Sequence, residues 1–256
     1  MKPVAPAITR SAALAKADTV FRNRPALHDF PEFRKLTGGP LRPGGLEGTR
    51  QALALSGIKP PALLLDVGCG AGASLAFLQG LGFSCLGVDL SMPLLGEARS
   101  HGPVACAEAV RLPIASALLD GLLCECVLSL VQEKERALAE FARVLRPEGW
   151  LFLSDLVLLE PPPKNRPDPG PQACPQGMQS LCQLRAMVTE AGFAIRAEVD
   201  MGHALKALAA QMVWQYGSTE AFWHLWQDHV AHSPCHRPEV IGTKTHGYTL
   251  VVAQKK

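Results

Sequence analysis

Runs of basic residues longer than a few positions are missing from this 256-residue chain, and its formal net charge is only +2. A nucleic-acid binder normally carries a basic stripe or patch, so that class is set aside. An uninterrupted apolar stretch of membrane-spanning length is also missing: Leu118–Leu130 comes nearest and is broken by Asp120 and Glu125. The segment from Met1 to Lys16 holds Lys2 and Arg10 among small residues without an apolar core, so no secretory signal is expected and the reading is cytoplasmic. Paired CxxC spacing does not occur. The eight cysteines (Cys69, Cys85, Cys106, Cys124, Cys126, Cys174, Cys182 and Cys235) are scattered, which argues against structural zinc and for free thiols, most of them small core residues. The histidines gather in the C-terminal third, but His232-Ser233-Pro234-Cys235-His236 has no second ligand cluster, and no metal site is expected.

What the chain does have is enough apolar material for a sizeable core, with 48% hydrophobic and 19% charged residues. Residues 1–60 read as a helical preamble, with a helix at Ser11–Val20, breaks at Pro25, Pro31 and Gly38–Gly45, and a helix at Leu46–Leu55. From residue 61 strands and helices alternate. Ala62–Val67, Ser84–Val88, Val104–Ala107, Gly121–Val127, Trp150–Ser154, Phe193–Val199 and Tyr248–Ala253 are predicted strands. Ala73–Leu81, Pro93–Arg99, Lys134–Val144 and Leu181–Ala191 are predicted helices. Such alternation implies right-handed crossovers and a doubly wound parallel sheet. Residues 160–177 are Pro-rich and read as a loop or flap. Helical patterning at Ala204–Tyr216 and Glu220–Val230 fills a long insertion, residues 203–245, before the last strand.

The first strand runs into Asp66-Val67-Gly68-Cys69-Gly70-Ala71-Gly72. Glycines in a strand-to-helix turn let the backbone approach a ligand where a Cβ would clash, and the turn opens onto a helix N-terminus. Asp89, at the end of the second strand, is placed to accept hydrogen bonds from a ribose diol. Gly68-x-Gly70-x-x-Ala73 also satisfies a dinucleotide fingerprint. Together these features point to an adenosine-bearing ligand and leave a nicotinamide oxidoreductase open.

The remaining segments separate the two readings. Asp66 suits a ligand with an ammonium group, and Glu108-Ala109 lies where an adenine amino group can be met. With Leu65–Gly72 and Arg143-Val144-Leu145-Arg146-Pro147-Glu148-Gly149 in this order, the chain resembles class I S-adenosylmethionine-dependent methyltransferases over residues 60–200 and the last strand. The resemblance implies a Rossmann-like seven-stranded α/β sheet with the last strand antiparallel, inserted between strands five and six. It also implies S-adenosylmethionine as cofactor. By the same resemblance Asp66, Gly68, Cys69 and Gly70 hold the methionine portion and Asp89 the ribose. Leu90 lies beside the adenine, Glu108 and Ala109 at its edge, and Cys126 on the methyl-transfer side. Glu108 stands where the family more often has Asp.

The turn after strand four, Cys124–Leu130, lacks the Asn/Asp-Pro-Pro-aromatic sequence of enzymes that methylate amide or exocyclic nitrogens. Glu125–Leu130 with Ser154-Asp155-Leu156 is similar to arsenite methyltransferases, and Cys174 falls where that group has a second metalloid-binding cysteine; thiolates suit trivalent arsenic. The alternative is that Cys126 is a small lining residue and Cys174 an incidental loop thiol. The expected function is methyl transfer to a small molecule, with no nucleic-acid partner. Arsenite methylation through Cys126 and Cys174, or non-catalytic cofactor binding, are the alternatives. Residues 1–60 are expected to act as a segment or lid beside a domain at 61–256. Residues 203–245, with Trp214, Trp223, Trp226, Tyr216 and Phe222, are a candidate substrate cap. The Arg42–Leu46 stretch is expected either to cover the cofactor through its glycines or to serve as a plain linker.

Overall fold

A computed structural model describes residues 30–159, 178–229 and 245–256. The predicted helix at Ser11–Val20, the Pro-rich stretch 160–177 with Cys174, and the His232–His236 cluster lie outside the described residues. The elements are α1 (Pro31–Thr37), α2 (Glu47–Ser56), β1 (Leu63–Val67), α3 (Ala73–Gly80), β2 (Ser84–Asp89), α4 (Met92–Ala98), β3 (Val104–Cys106), β4 (Leu119–Glu125), α5 (Lys134–Val144), β5 (Leu145–Leu158), β6 (Gln179–Ser180), α6 (Leu181–Glu190), β7 (Phe193–Asp200), α7 (Gly202–Tyr216), α8 (Thr219–His229) and β8 (His246–Lys255).

One sheet runs in the order β3-β2-β1-β4-β5-β8-β7, and β6 pairs with β5 beside this path. The first five strands are mutually parallel, and β8 is antiparallel to both of its neighbours, β5 and β7. The expected topology is therefore present, with the two-residue β6 as an addition. That short strand leads straight into α6, whose start is fixed by a capping box between Ser180 and Gln183.

Strand residues divide by parity between two apolar cores, and the parity switches where the register shifts in β4 and β7. Leu65, Leu122, Leu151 and Val251 join Leu138, Phe141, Leu184 and Val188 of α5 and α6 on one face. Leu64, Leu123, Phe152 and Val252 join Leu75, Leu78, Leu95 and Leu205 of α3, α4 and α7 on the other. Both faces of the strands are covered, which is why they read as continuous apolar runs rather than alternating ones. The strand-five expectation needs one correction. The strand begins at Leu145 and not at Trp150, so that Arg146–Gly149 lies inside β5, at a register shift against β4 with Glu148 at φ 62°.

A third core joins the two flanking segments that the sequence presents separately. Phe30, Phe33 and Leu36 from the α1 region pack with Leu208, Met212, Phe222, Trp223 and Trp226 of α7 and α8. The Phe222 ring lies 5.5 Å from Phe30 and 5.3 Å from both Tyr216 and Trp223. Most of the insertion's aromatic residues thus form a core with the N-terminal helix instead of lining an open pocket. Trp214 is the exception, at 90% exposure. Among the described residues no helix is long and apolar enough to cross a membrane, and no cluster of metal ligands is found.

Candidate functional site

The turn after β1 is held against β2 by two amides, Gly68 N and Cys69 N, which both donate to the Val88 carbonyl at 2.8 and 3.0 Å. Gly68 has φ 75°, and a Cβ there would come within 2.2 Å of Val127 Cγ2, so no other residue fits without displacing the chain after β4. Gly72 caps α3 in the left-handed region, and a Cβ there would press on the Ala98 backbone at 3.0 Å. Gly70, at φ 52°, donates its N–H to Asp89 Oδ2 at 2.8 Å, while Asp89 Oδ1 accepts from Ser91 N at 2.8 Å. A carboxylate has about four acceptor positions, so Asp89 keeps capacity for a ligand after these two bonds.

Asp66 is the buried penultimate residue of β1, and burial first, then the neighbouring Glu125 and Asp89, raise its pKa from 3.8 to about 8, against the opposing pull of Arg42. Cys69 turns inward: a Cβ at Gly87 would meet its Sγ at 2.8 Å, and burial raises its thiol pKa. Leu90 is partly exposed next to Asp89, and Glu108 and Ala109 form the half-buried turn after β3, linked back by Ala107 N to the Asp89 carbonyl at 3.2 Å.

Cys126 follows β4 with φ 57°, a left-handed conformation unusual for a residue with a side chain. Its N–H donates to the Ser154 carbonyl at 2.7 Å, and its thiol lies 3.7 Å from the Tyr248 hydroxyl. That hydroxyl is 3.0 Å from Ser154 Oγ, and burial holds its pKa well above the ordinary value.

Sequence reading missed a buried ionic cluster beside Asp66. Arg42 Nη2 forms an ion pair with Glu125 Oε2 at 2.9 Å and donates to Thr49 Oγ1 at 2.9 Å and Ser74 Oγ at 3.0 Å. Thr49 and Ser74 donate in turn to the Glu125 carboxylate. Burial alone lowers the pKa of Arg42, but Glu125, with Tyr248, Asp66 and Cys126, more than offsets this and holds it above its ordinary value. Leu41, just before the Arg42–Leu46 stretch, reaches the glycine turn, since a Cβ on Gly70 would sit 3.6 Å from Leu41 Cδ1. A legible signal existed only for Glu125, a carboxylate ending the apolar run Leu122-Leu123-Cys124.

Asp66, the glycine turn, Asp89, Cys126 and the ionic cluster all gather at the carboxyl ends of β1, β2 and β4, where open α/β sheets bind ligands. An open recess of about 340 Å³ lined by Lys59, Asp120, Arg146 and Trp150 lies at the amino ends of these strands and belongs to a different surface.

Residues 65–153 match the family model described as a methyltransferase domain. The arsenite methyltransferase of Halobacterium salinarum is 32% identical over 154 residues, which covers 55% of this chain and 39% of that protein. This chain therefore spans well under two thirds of that curated relative. Phosphoethanolamine N-methyltransferase 2 of Haemonchus contortus, solved with S-adenosyl-L-methionine, superposes with a TM-score of 0.68 at 18% identity, over 93% of this chain and 59% of that one. The cyclase SpnF superposes with a TM-score of 0.63 at 22% identity, over 88% and 92%. The chain thus shares its fold with a protein described as an N-methyltransferase and with one described as a cyclase.

Proposed function

We propose that this chain is an S-adenosylmethionine-dependent methyltransferase acting on a small molecule. The observation that carries this reading is the convergence of Asp66, the Gly68–Gly72 turn and Asp89 at one end of the sheet. The residues fit the cofactor. Gly68 and Gly70 leave backbone bare where a ligand must come close, Asp66 is a buried carboxylate suited to an ammonium, and Asp89 retains acceptor capacity for a ribose diol.

Bound there, S-adenosylmethionine supplies an electrophilic methyl group on sulfur. Asp66 holds the ammonium, the backbone of Gly68, Cys69 and Gly70 supports the methionine portion, and Asp89 takes the ribose. Leu90 would lie beside the adenine, with Glu108 and Ala109 at its edge. Cys126, half-buried beyond β4, borders the space where the acceptor enters. The protein's contribution is positioning, so no general base is required of these residues. Incubating the protein with labelled S-adenosylmethionine and a panel of small nucleophiles tests the reading; label transfer to an acceptor supports it. Binding without any turnover across thiols, amines, phenols and carboxylates favours a non-catalytic role instead.

A second reading, arsenite methylation, has one observation in its favour: the thiol of Cys126 stands at the tip of β4, in a chain 32% identical to an arsenite methyltransferase over its matched part. Turnover of trivalent arsenic that disappears in Cys126→Ser and Cys174→Ser supports this acceptor. Full turnover in both variants excludes it.

A further inference from the structure

We propose that the recess at the amino ends of β1, β4 and β5 is a second binding site, separate from the cofactor site. Its ligand is a small organic oxyanion: a phosphate monoester or a carboxylate on an aromatic body.

The uncommitted polar groups of the recess are donors. Its charged lining residues are Lys59, Asp120 and Arg146. Asp120 is committed twice: Oδ1 pairs with Arg146 Nη1 at 2.5 Å, and Oδ2 accepts from Leu63 N at 2.6 Å. On the loop that leads into β1, Gly57 N donates to the Leu53 carbonyl at 3.1 Å and Ile58 N to Ser56 Oγ at 3.3 Å. Among the described residues the Lys59 ammonium takes no ion pair or hydrogen bond, and Arg146 uses only Nη1. The remaining Nε–H and Nη2–H of Arg146 lie along one edge of the guanidinium, the arrangement that grips two oxygens of a phosphate or carboxylate. Two cations against one engaged carboxylate leave the recess positive, and at 58% exposure the Arg146 side chain is within reach of a ligand.

The volume, about 340 Å³, lies within the range of small-molecule pockets and exceeds what a bare inorganic ion fills. Ala62 and Trp150 line it as well, and Trp150 packs against the core that holds Leu64 and Phe152. The backbone beneath is fixed. Arg146 stands on the β5 bulge, and bulges re-aim side chains. From the other side β8 braces this bulge: Lys255 Nζ donates to the Leu145 carbonyl at 2.7 Å, and Gln254 Nε2 to the Glu148 carbonyl at 3.1 Å. A Cβ on Gly149 would meet the Arg146 carbonyl at 2.9 Å and the Leu119 carbonyl at 3.3 Å, so the bulge is packed closely on the start of β4. The pair with Asp120 then sets the direction of the guanidinium.

The test is calorimetric titration of the full chain with phenyl phosphate, benzoate and, as a neutral control, benzyl alcohol, in wild type, Lys59→Met and Arg146→Met. At least one of the two anions should bind one-to-one and about 10-fold or more tightly than benzyl alcohol; the tighter one tells a phosphate ester from a carboxylate. Arg146→Met should weaken that anion about 10- to 100-fold and Lys59→Met about 3- to 10-fold, with S-adenosylhomocysteine binding within about 3-fold of wild type. No binding of either anion at millimolar concentration, or equal affinity for benzyl alcohol, overturns the proposal. Anion binding left unchanged by either variant, or abolished by saturating S-adenosylhomocysteine, places the anion elsewhere and overturns it too. Should Arg146→Met fail to fold because Asp120 loses its partner, the exposed Lys59 decides alone, and unchanged affinity in Lys59→Met is then the contrary result.

Discussion

The Gly70 amide and the Asp89 carboxylate are joined by a 2.8 Å hydrogen bond, so the glycine turn and the end of β2 form one rigid unit. The carboxylate that shapes the turn is the same one proposed to take the ribose. Asp89→Ala should weaken binding of S-adenosylhomocysteine and of 5′-methylthioadenosine alike, by about 10- to 100-fold, since both contain the ribose. Calorimetry checks this, and unchanged affinity for 5′-methylthioadenosine would remove Asp89 from the ribose site.

Asp66 makes the ligand-free protein sensitive to pH in a definite direction. Its folded-state pKa, about 8, lies above the ordinary 3.8, so the folded state binds the proton more tightly than the unfolded state does. The associated stability is fully present below the ordinary value and is lost as pH rises through about 8. Melting temperatures measured from about pH 4 to about pH 9 should therefore fall through this window, and Asp66→Asn should flatten the decline. An ammonium arriving beside Asp66 favours its ionised form. Cofactor binding at neutral pH should then release about one proton, read by calorimetry in buffers of different ionisation enthalpy. Binding without proton release would contradict the assignment.

Gly68 tests whether the turn tolerates any side chain. The left-handed backbone alone should cost Gly68→Ala about 1–3 kcal/mol of stability, and the approach to Val127 adds to it. Val127→Ala removes the nearest atom, Cγ2, but leaves Val127 Cβ at 3.3 Å from the new methyl group. The double variant should recover part of the loss, a non-additive result measurable by urea unfolding. Strict additivity would show that the contact does not matter.

Much of this architecture is legible locally. The apolar runs at β1 and β4, the glycine turn and the acidic end of β2 are patterns within a few residues, and each occupies the expected place. The features that are not legible depend on pairings between distant parts of the chain. Arg42 reads as part of a Pro-Gly-Gly loop until the fold brings Glu125 against it. Phe30 and Phe222 read as members of separate flanking segments, because nothing in either helix indicates its partner. The two-residue β6 is too short for any periodicity, and the bulge in β5 follows from its pairing with β4 around Leu119 and Gly121. The aromatic cluster of the insertion shows the same limit: an amphipathic stripe reveals that a face is buried but not what buries it.

The shared core makes a prediction about how the cap comes apart. Phe222 is fully buried between α1 and α7, so Phe222→Ala should cost about 3–5 kcal/mol locally. Hydrogen exchange should then show α1 and α8 losing protection together while β1 and β4 keep theirs. Loss confined to α8 would mean that the two segments are independent.

The central claim is that the carboxyl ends of β1 and β2 form a site for S-adenosylmethionine. Calorimetric titration of the wild-type chain with S-adenosylhomocysteine and, separately, with NAD tests it most directly. Tight one-to-one binding of S-adenosylhomocysteine with negligible heat from NAD is the predicted result. Tighter binding of NAD would contradict it and return Gly68, Gly70 and Asp89 to the dinucleotide reading that their spacing also allows.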